Sequence, residues 1–401
     1  MRRLVGGLVV GAAAALLSCQ VLLGLDEPFG TPLPVSVFEA GPGVPDLCEH
    51  RYEPGPPPVV SDESVGNGRW FATRSYQLPY VGDAGLGQGL DLDKHCTCNP
   101  DPQKRDQYDG GPSCTPLTSL NSDSCDKSGG VDDAFGTSLG AFFTKVSTLD
   151  PRADGNDDIL AGLRTAMVYV TGWNGQMNDA NATVAVVASS GLITPKGCDD
   201  GGARRTPDAS VIDGQQFFPP QFDGCDRWSL RPTDAVASRD PTQPPTPTVS
   251  TQTNAYVRDG VLYADLGRSA LVILGADAYA NDGHLVARIT PIPEVGYALD
   301  GFLTGRVSFG DLLTAAGGIP ILKDGKVSPL CEQPQFHNAF IVPLCADLDL
   351  MAQPSQDNTG QPCDAISVVF GFHAESSLVA NQLHTLDAGV LPCADASFTC
   401  F

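Results

Sequence analysis

One short motif in this sequence has the residue types of a hydrolase nucleophile. Gly136-Thr137-Ser138-Leu139-Gly140 matches the G-x-S-x-G pattern, in which the serine is exposed on a strained turn between a strand and a helix. The residues before it show no strand pattern, and the spacing of its apolar neighbours predicts a helix over residues 133–146. Ser138 would lie inside that helix. The sequence therefore keeps ester hydrolysis as an alternative and does not favour it.

Paired carboxylates are a second group of side chains that could do chemistry. Glycoside cleavage needs two positioned acidic groups. Asp91 and Asp93, and likewise Asp347 and Asp349, are two residues apart, which places each pair on one face of a strand. Asp in such positions usually faces solvent at a sheet edge or in a turn. We predict that solvated role and assign no catalytic residue, with glycan hydrolysis through Asp kept as the alternative.

Oxygen-bearing residues at alternate positions suggest a calcium loop near residue 156. Asp154, Asn156 and Asp158 are spaced as at the start of an EF-hand. The Gly and the bidentate Glu that complete such a loop are missing from its sixth and twelfth positions. The sequence favours a turn that caps the following helix. We expect no cofactor, with calcium in an Asp-rich loop as the alternative.

Two tryptophans are the candidates for a sugar-stacking surface. Trp173 begins the connector of a predicted hairpin, with Asn174 and Asn178 as polar neighbours, and Trp228 lies in a later segment. Aromatic faces that remain exposed on a β domain can stack on carbohydrate. Large indoles more often fill a core or cover a sheet edge. The sequence predicts the core role and keeps carbohydrate binding as the alternative.

The charge of the chain argues against nucleic acid as a partner. Lys and Arg number 24 against 47 Asp and Glu, which gives a net charge of −23. Such a surface repels phosphate backbones, and no basic cluster interrupts it. The acidic residues are mostly Asp, which favours turns and caps. Together with 44 Gly and 33 Pro, this composition predicts a β protein rich in loops.

The cysteine count predicts disulfide bonds and an oxidising compartment. Of 13 cysteines, 12 lie downstream of residue 19, and an even number in an exported chain indicates a disulfide framework. We predict local pairs, Cys198 with Cys225, Cys393 with Cys400, and Cys96 and Cys98 with Cys114 and Cys125. Zinc at the last group is disfavoured, because C-x-C is not the usual ligand spacing. The remaining candidates for disulfides are Cys48, Cys331, Cys345 and Cys363.

The order of composition along the chain predicts three parts. Residues 1–18 have the features of an export signal, and residues 19–68 are rich in Pro and Gly, which predicts a disordered tether. Residues 69–401 have short strand patterns separated by turns. We predict one mainly β, disulfide-stapled domain, an antiparallel β-sandwich or jelly roll with one or two short helices.

Particular turns define the expected strands. Arg164–Gly172 and Ala182–Ser189 flank an Asn-Gly connector, and Val257–Val261 contains an Asp-Gly turn, both typical of hairpins. Ser308 is placed to cap a short helix that ends at a Gly-Gly pair. Further predicted strands are Gly89–Asp93, Phe302–Val307, Ile319–Leu322, Ala339–Leu344 and Ala365–His373.

The amino-terminal region has the features of an export signal. Arg2 and Arg3 precede an apolar run from Leu4 to Leu17, which is shorter than the roughly 20 residues of a membrane-spanning helix. Leu16-Leu17-Ser18-Cys19 resembles the lipobox of bacterial lipoproteins. That resemblance implies cleavage before Cys19, a lipid on its sulfur and fatty acylation, as with palmitate, of the new amino terminus.

The resemblance also sets the expected location, while the absence of a catalytic motif and the analogy of fold set the expected role. Gln20, rather than Asp, follows Cys19, which by the sorting rule of enteric bacteria indicates the outer membrane. We therefore expect an exported protein, lipid-anchored to the bacterial envelope. We expect a non-catalytic binding or structural module whose partners are the membrane and a glycan or envelope protein. The alternative is an envelope hydrolase that acts on glycan or ester substrates.

Overall fold

Long runs of β-branched and alternating apolar residues make this chain mainly β. The computed structural model describes residues 51–58, 68–77, 88–97, 111–117, 125–127, 130–136, 138, 151–194, 210–212, 215–217, 219–248, 253–273, 276–323, 326–332, 334–383 and 400. The strands are β1 (Arg69–Gln77), β2 (Ala166–Thr171), β3 (Asp179–Thr194), β4 (Ser210–Ile212), β5 (Gln215–Phe217), β6 (Arg227–Leu230), β7 (Ala235–Val236), β8 (Thr246–Pro247), β9 (Thr253–Arg258), β10 (Val261–Ile273), β11 (Ala276–Ile292), β12 (Gly296–Ser308), β13 (Pro320–Lys323), β14 (Lys326–Pro329) and β15 (Ala365–Leu383). The helices are α1 (Pro151–Leu160), α2 (Phe309–Gly318) and α3 (Pro334–Ala346), with 3-10 turns at Leu330–Glu332 and Pro354–Gln356.

Eight of the strands close into an antiparallel barrel. The ring runs β1-β2-β3-β9-β10-β11-β12-β15 and returns to β1. The predicted sandwich or jelly roll is therefore not found, and the architecture is barrel-like. Short strands between turns are common to all these folds. Closure depends on long strands that change partners and on bulges, as at the register shifts in β10 and β11.

The inside of the barrel is filled by alternate residues of its strands. One apolar cluster takes buried side chains from all eight strands, among them Phe71, Val184, Leu262, Leu303 and Phe372. The same cluster continues into α2 and α3, because Leu312, Phe340 and other buried residues of these helices belong to it. The barrel interior is thus a packed core.

A ninth strand encloses a second core on the outside of the barrel. β6 pairs antiparallel with the end of β3 and parallel with the end of β15. Its Trp228 is completely buried and packs with outward-facing residues such as Trp70 and Met167. Strands β1, β2, β3 and β15 therefore bury both of their faces, which explains why their sequences are apolar at consecutive positions.

Loops cover another part of the outer surface of the barrel. Leu90, Leu92, Val131 and Leu350 pack on outward-facing residues of β10, β11, β12 and β15. We call residues 88–97, 125–133 and 347–357, where described, the covering layer. The strand predicted at Gly89–Asp93 is wrong, because this segment is irregular and bent. Its alternation arises because the two leucines face the barrel.

Most local predictions are confirmed. β2 and β3 form the first hairpin, and β9 and β10 pair around Asp259-Gly260. Ser308 caps α2 by accepting a hydrogen bond from the amide of Asp311 at 3.1 Å. Ala339–Leu344 is wrong as a strand, because it lies within α3. An apolar run of this length fits a buried helix as well as a strand.

Two disulfides of the described part join segments that are far apart in the sequence. Cys114 bonds Cys363, 249 residues away, and Cys345 bonds Cys400. The predicted pair Cys393 with Cys400 is therefore wrong, and so is a partner for Cys114 among Cys96 and Cys98. Sequence spacing cannot show which loops the barrel brings together. Further disulfide cysteines are Cys96, Cys125, Cys225 and Cys331, while Cys48, Cys98, Cys198 and Cys393 lie outside the described residues.

Part of the predicted tether packs on the barrel. In residues 51–58, Arg51, Pro54 and Pro57 are buried. The carbonyl of Arg51 accepts a hydrogen bond from the amide of Asp91 at 3.0 Å, and that of Gly55 accepts one from Arg258 at 3.2 Å. These residues belong to the same compact unit as the barrel, Leu33–Phe401. A Pro-rich segment without apolar periodicity can thus be bound to a folded domain by hydrogen bonds to its backbone carbonyls.

Gly301 offers a test of the barrel packing. A Cβ on this inward-facing residue would lie 2.0 Å from the carbonyl oxygen of Val286, a backbone atom that cannot move away. We expect Gly301→Ala to lower the free energy of unfolding by about 3 kcal/mol or more, as measured by urea denaturation. Gly310→Ala, whose Cβ would meet only Ser308 Oγ at 4.0 Å, is the control and should change stability by less than about 1 kcal/mol. Equal stability of the two variants would contradict this packing.

Candidate functional site

Buried carboxylates collect within the covering layer. Asp91, Asp93 and Asp132 are 4%, 6% and 1% exposed. One carboxylate oxygen from each lies within 4.8 Å of the others. We call these three residues the acidic cluster. The solvated role predicted for Asp91 and Asp93 is therefore wrong, since both side chains are covered.

Backbone amides hold the carboxylates of this region in place. Asp91 accepts from the amide of Lys94 at 2.6 Å, Asp93 from that of His95 at 2.8 Å, and Asp132 from that of Leu92 at 2.6 Å. Asp126 accepts from the amide of Thr97 at 2.7 Å. The bonds of Asp126 and Asp132 join residues 125–133 to residues 88–97, and those of Asp91 and Asp93 are local turns. The chain itself therefore fixes the positions of the carboxylates.

The acidic cluster and its neighbours form a region that is rich in carboxylates. Burial and the charge of Asp93 raise the pKa of both Asp126 and Asp132 well above the usual range. Burial also raises the pKa of Asp133, against the charge of Lys127. It raises the pKa of Asp349 to about 7, although hydrogen bonds from Ser367 oppose the shift. Several carboxylates therefore lie close together at a cost in free energy.

Arg306 of β12 joins this region to the barrel. It is fully buried and donates to Asp282 at 3.0 Å, Asp357 at 2.8 Å, the carbonyl of Met351 at 3.1 Å and that of Leu92 at 2.6 Å. Two carboxylates outside the acidic cluster thus balance its charge. Arg306 consequently anchors the covering layer without pairing directly with the acidic cluster through these bonds.

Ser138 is placed as a structural residue. It is 1% exposed, lies in a helical segment with residues 134–136, and donates a short hydrogen bond to Asp347. Asp133 caps this segment by accepting from the amide of Gly136 at 3.2 Å. Among residues 130–136, the described stretch before it, no strand leads into the serine as it does in a hydrolase. Asp347 and Asp349 are buried with it, so their predicted solvated role is also wrong.

The candidate sugar-binding residues face inward or hold turns. Trp173 is 4% exposed and Trp228 is fully buried, so neither indole presents a face to a ligand. Trp173 donates to the carbonyl of Gln176 at 2.8 Å. Asn174 accepts from the amide of Gln176, and Asn178 accepts from that of Asp259. These polar groups shape the hairpin connectors.

The suggested calcium loop is a helix. Asp154, Asn156 and Asp158 all lie in α1, where alternate positions do not share a face. Asn156 binds the backbone of Tyr76 through both its oxygen and its nitrogen, and Asp158 pairs with Arg164 at 2.8 Å. The predicted turn is replaced by a helix that starts earlier, at Pro151.

A second ionic group lies on the outer surface near the start of β12. His373 contacts Asp300 through Nδ1 at 2.5 Å and Glu375 through Nε2 at 3.1 Å, and Arg74 pairs with Glu375 at 2.7 Å. Burial would lower the pKa of His373, but the two carboxylates outweigh it and raise this pKa to about 9. The imidazole is therefore a cation at neutral pH, held on both sides.

The acidic cluster is not visible in the sequence for a physical reason. Asp132 is about 40 residues from Asp91 and Asp93, and it meets them only because the covering layer folds over the barrel. The available signal was the pairing of Asp91 and Asp93 with Leu90 and Leu92 in strict alternation. If the leucines face a core, the aspartates share the opposite side, where the rest of the layer can bury them.

Comparison with known proteins gives no relative from which a role could be transferred. The chain matches no protein-family model, no curated protein and no solved structure. Among the residues that the structure describes, none of the helices combines the length and apolar character needed to cross a membrane.

The contact between Ser138 and Asp347 generates a prediction about the hydrolase alternative. Because Ser138 is buried and its hydroxyl donates a hydrogen bond to the carboxylate of Asp347, we expect a fluorophosphonate probe not to label the folded chain. Ser138→Ala should cost about 1 to 3 kcal/mol of stability in urea denaturation, since Asp347 loses a buried donor. Labelling of Ser138, located by peptide mass spectrometry, would restore the hydrolase hypothesis.

The His373 group generates a prediction about pH. Its pKa is about 9 when folded and 6.5 as the ordinary value, so its stabilisation is complete below pH 6.5 and is lost as pH rises through 9. We expect the wild-type chain to lose about 1 to 2 kcal/mol over this window, allowing for solvent screening. His373→Gln should not show this loss. Identical pH profiles from urea denaturation of both proteins would contradict the assignment.

Proposed function

We propose that this chain is a lipid-anchored protein of the bacterial envelope whose barrel is a non-catalytic binding or structural module. The observation that carries the proposal is the sequence Leu16-Leu17-Ser18-Cys19 at the end of an apolar run that follows Arg2 and Arg3. These residues lie outside the part that the structure describes, so the anchor is argued from the sequence.

The disulfides support export. Eight cysteines of the described part are disulfide-bonded, and such bonds persist in oxidising compartments. Cys114–Cys363 links residues 111–117 to the segment just before β15. A protein held outside the cytoplasm gains from such a link, because it limits the freedom of the unfolded chain.

The placement of the polar residues supports a non-catalytic role. Ser138 is bound to Asp347 inside the protein, and His373 is held as a cation between two carboxylates. Trp173 and Trp228 are buried in the core, so neither indole can support carbohydrate binding by stacking on a sugar. An envelope protein as ligand, or a purely structural role, therefore fits the described residues better.

Labelling with a palmitate analogue tests the anchor. In cells that process lipoproteins, we expect the wild-type chain to incorporate the analogue and to sediment with membranes. Cys19→Ala should lose both properties, because the sulfur that accepts the lipid is gone. Ser18→Ala keeps a small residue at the cleavage point and should remain labelled. Absence of label from the wild-type chain, or its retention in Cys19→Ala, would refute the proposed anchor.

A further inference from the structure

We propose that the acidic cluster, Asp91, Asp93 and Asp132, is a calcium site that fastens the covering layer to the barrel. The three residues come from two segments of the covering layer, residues 88–97 and 125–133. One carboxylate oxygen from each lies within 4.8 Å of the others. The site is independent of the lipid anchor and adds a ligand to the proposed module.

The second carboxylate oxygen of Asp93 points to a missing ligand. Its Oδ1 accepts the amide of His95, while its Oδ2 is inaccessible to solvent and has no hydrogen-bond partner among the described residues. The residue is only 6% exposed. A buried carboxylate oxygen without a donor is costly in free energy. Because the neighbouring side chains are also carboxylates, the partner that suits this oxygen is a cation.

The surroundings of Asp93 are carboxylates. One carboxylate oxygen each of Asp91 and Asp132 lies within 4.8 Å of one from Asp93. Arg306, the buried cation that binds the carbonyl of Leu92, is already paired with Asp282 and Asp357. A divalent ion would offset the repulsion among the three carboxylates of the acidic cluster.

The chemistry of the donors selects calcium. All three ligands are carboxylates, which hard cations prefer over the softer transition metals. Calcium accepts irregular oxygen sites with more than six ligands, whereas magnesium demands an octahedron and keeps several waters. A covered site that offers three carboxylates within 4.8 Å of one another therefore suits calcium. The disulfides indicate a compartment outside the cytoplasm, where sites of this kind meet abundant calcium.

Calcium binding is tested on the full-length chain, purified with its disulfides formed and freed of metal with EGTA. Isothermal titration with calcium chloride should show one saturable site. The melting temperature should rise by about 3 °C when free calcium is one hundred times the dissociation constant. Asp93→Asn should weaken binding at least tenfold and abolish the rise. Its metal-free melting temperature should be equal to or higher than that of the wild type, because one repelling charge is gone.

Two further variants make the test specific. Asp132→Asn should also lose calcium binding, and it replaces Asp93→Asn if that variant does not fold. Asp158→Asn, in α1 and paired with Arg164, is the matched control and should keep full binding. Absence of calcium heat and of any melting shift in the wild-type chain would overturn the proposal. So would unchanged binding in Asp93→Asn, or loss of binding in Asp158→Asn alone. None of these results depends on whether Cys19 carries a lipid.

Discussion

The covering layer depends on one buried cation. Arg306 projects outward from β12, and its guanidinium binds two carboxylates and two backbone carbonyls from segments that are far apart in sequence. A buried guanidinium is tolerated only when its donors are satisfied, so the segments that supply these acceptors must fold over the barrel. Once they do, Leu90, Leu92 and Leu350 cover the apolar outer face beside it.

This arrangement explains why so much acidity is buried in one place. Several amides of the covering layer, from Leu92 to Thr97, donate to Asp side chains rather than to a neighbouring strand. Asp91, Asp93, Asp126 and Asp132 each accept such an amide. A short carboxylate is well suited to this role, but each one brings a charge. The same few Asp residues therefore supply hydrogen bonds to the covering layer and repel one another through their charges.

The sequence predicts those turns and helix ends that depend only on residues adjacent in the chain. Asp259-Gly260 specifies a hairpin, and Ser308 specifies the start of α2, because each depends on neighbours in the chain. Closure of the barrel, the pairing of Cys114 with Cys363, and the meeting of Asp93 with Asp132 depend on segments brought together by the fold. No spacing rule reports them. The sequence of Ala339–Leu344 predicts a buried segment but not its type, because its apolar run suits either a strand or a helix.

The excess of Asp over Glu has its origin in the same contacts. The composition alone predicts turns and caps, and Asp133, Asp179 and Asp226 accept backbone amides in this way. The composition does not indicate that many of these turns are covered. A short side chain that reaches a local amide stays close to the backbone, and the chain can then be buried around it. An acidic chain can thus carry much of its charge inside, where only a cation or a raised pKa can relieve it.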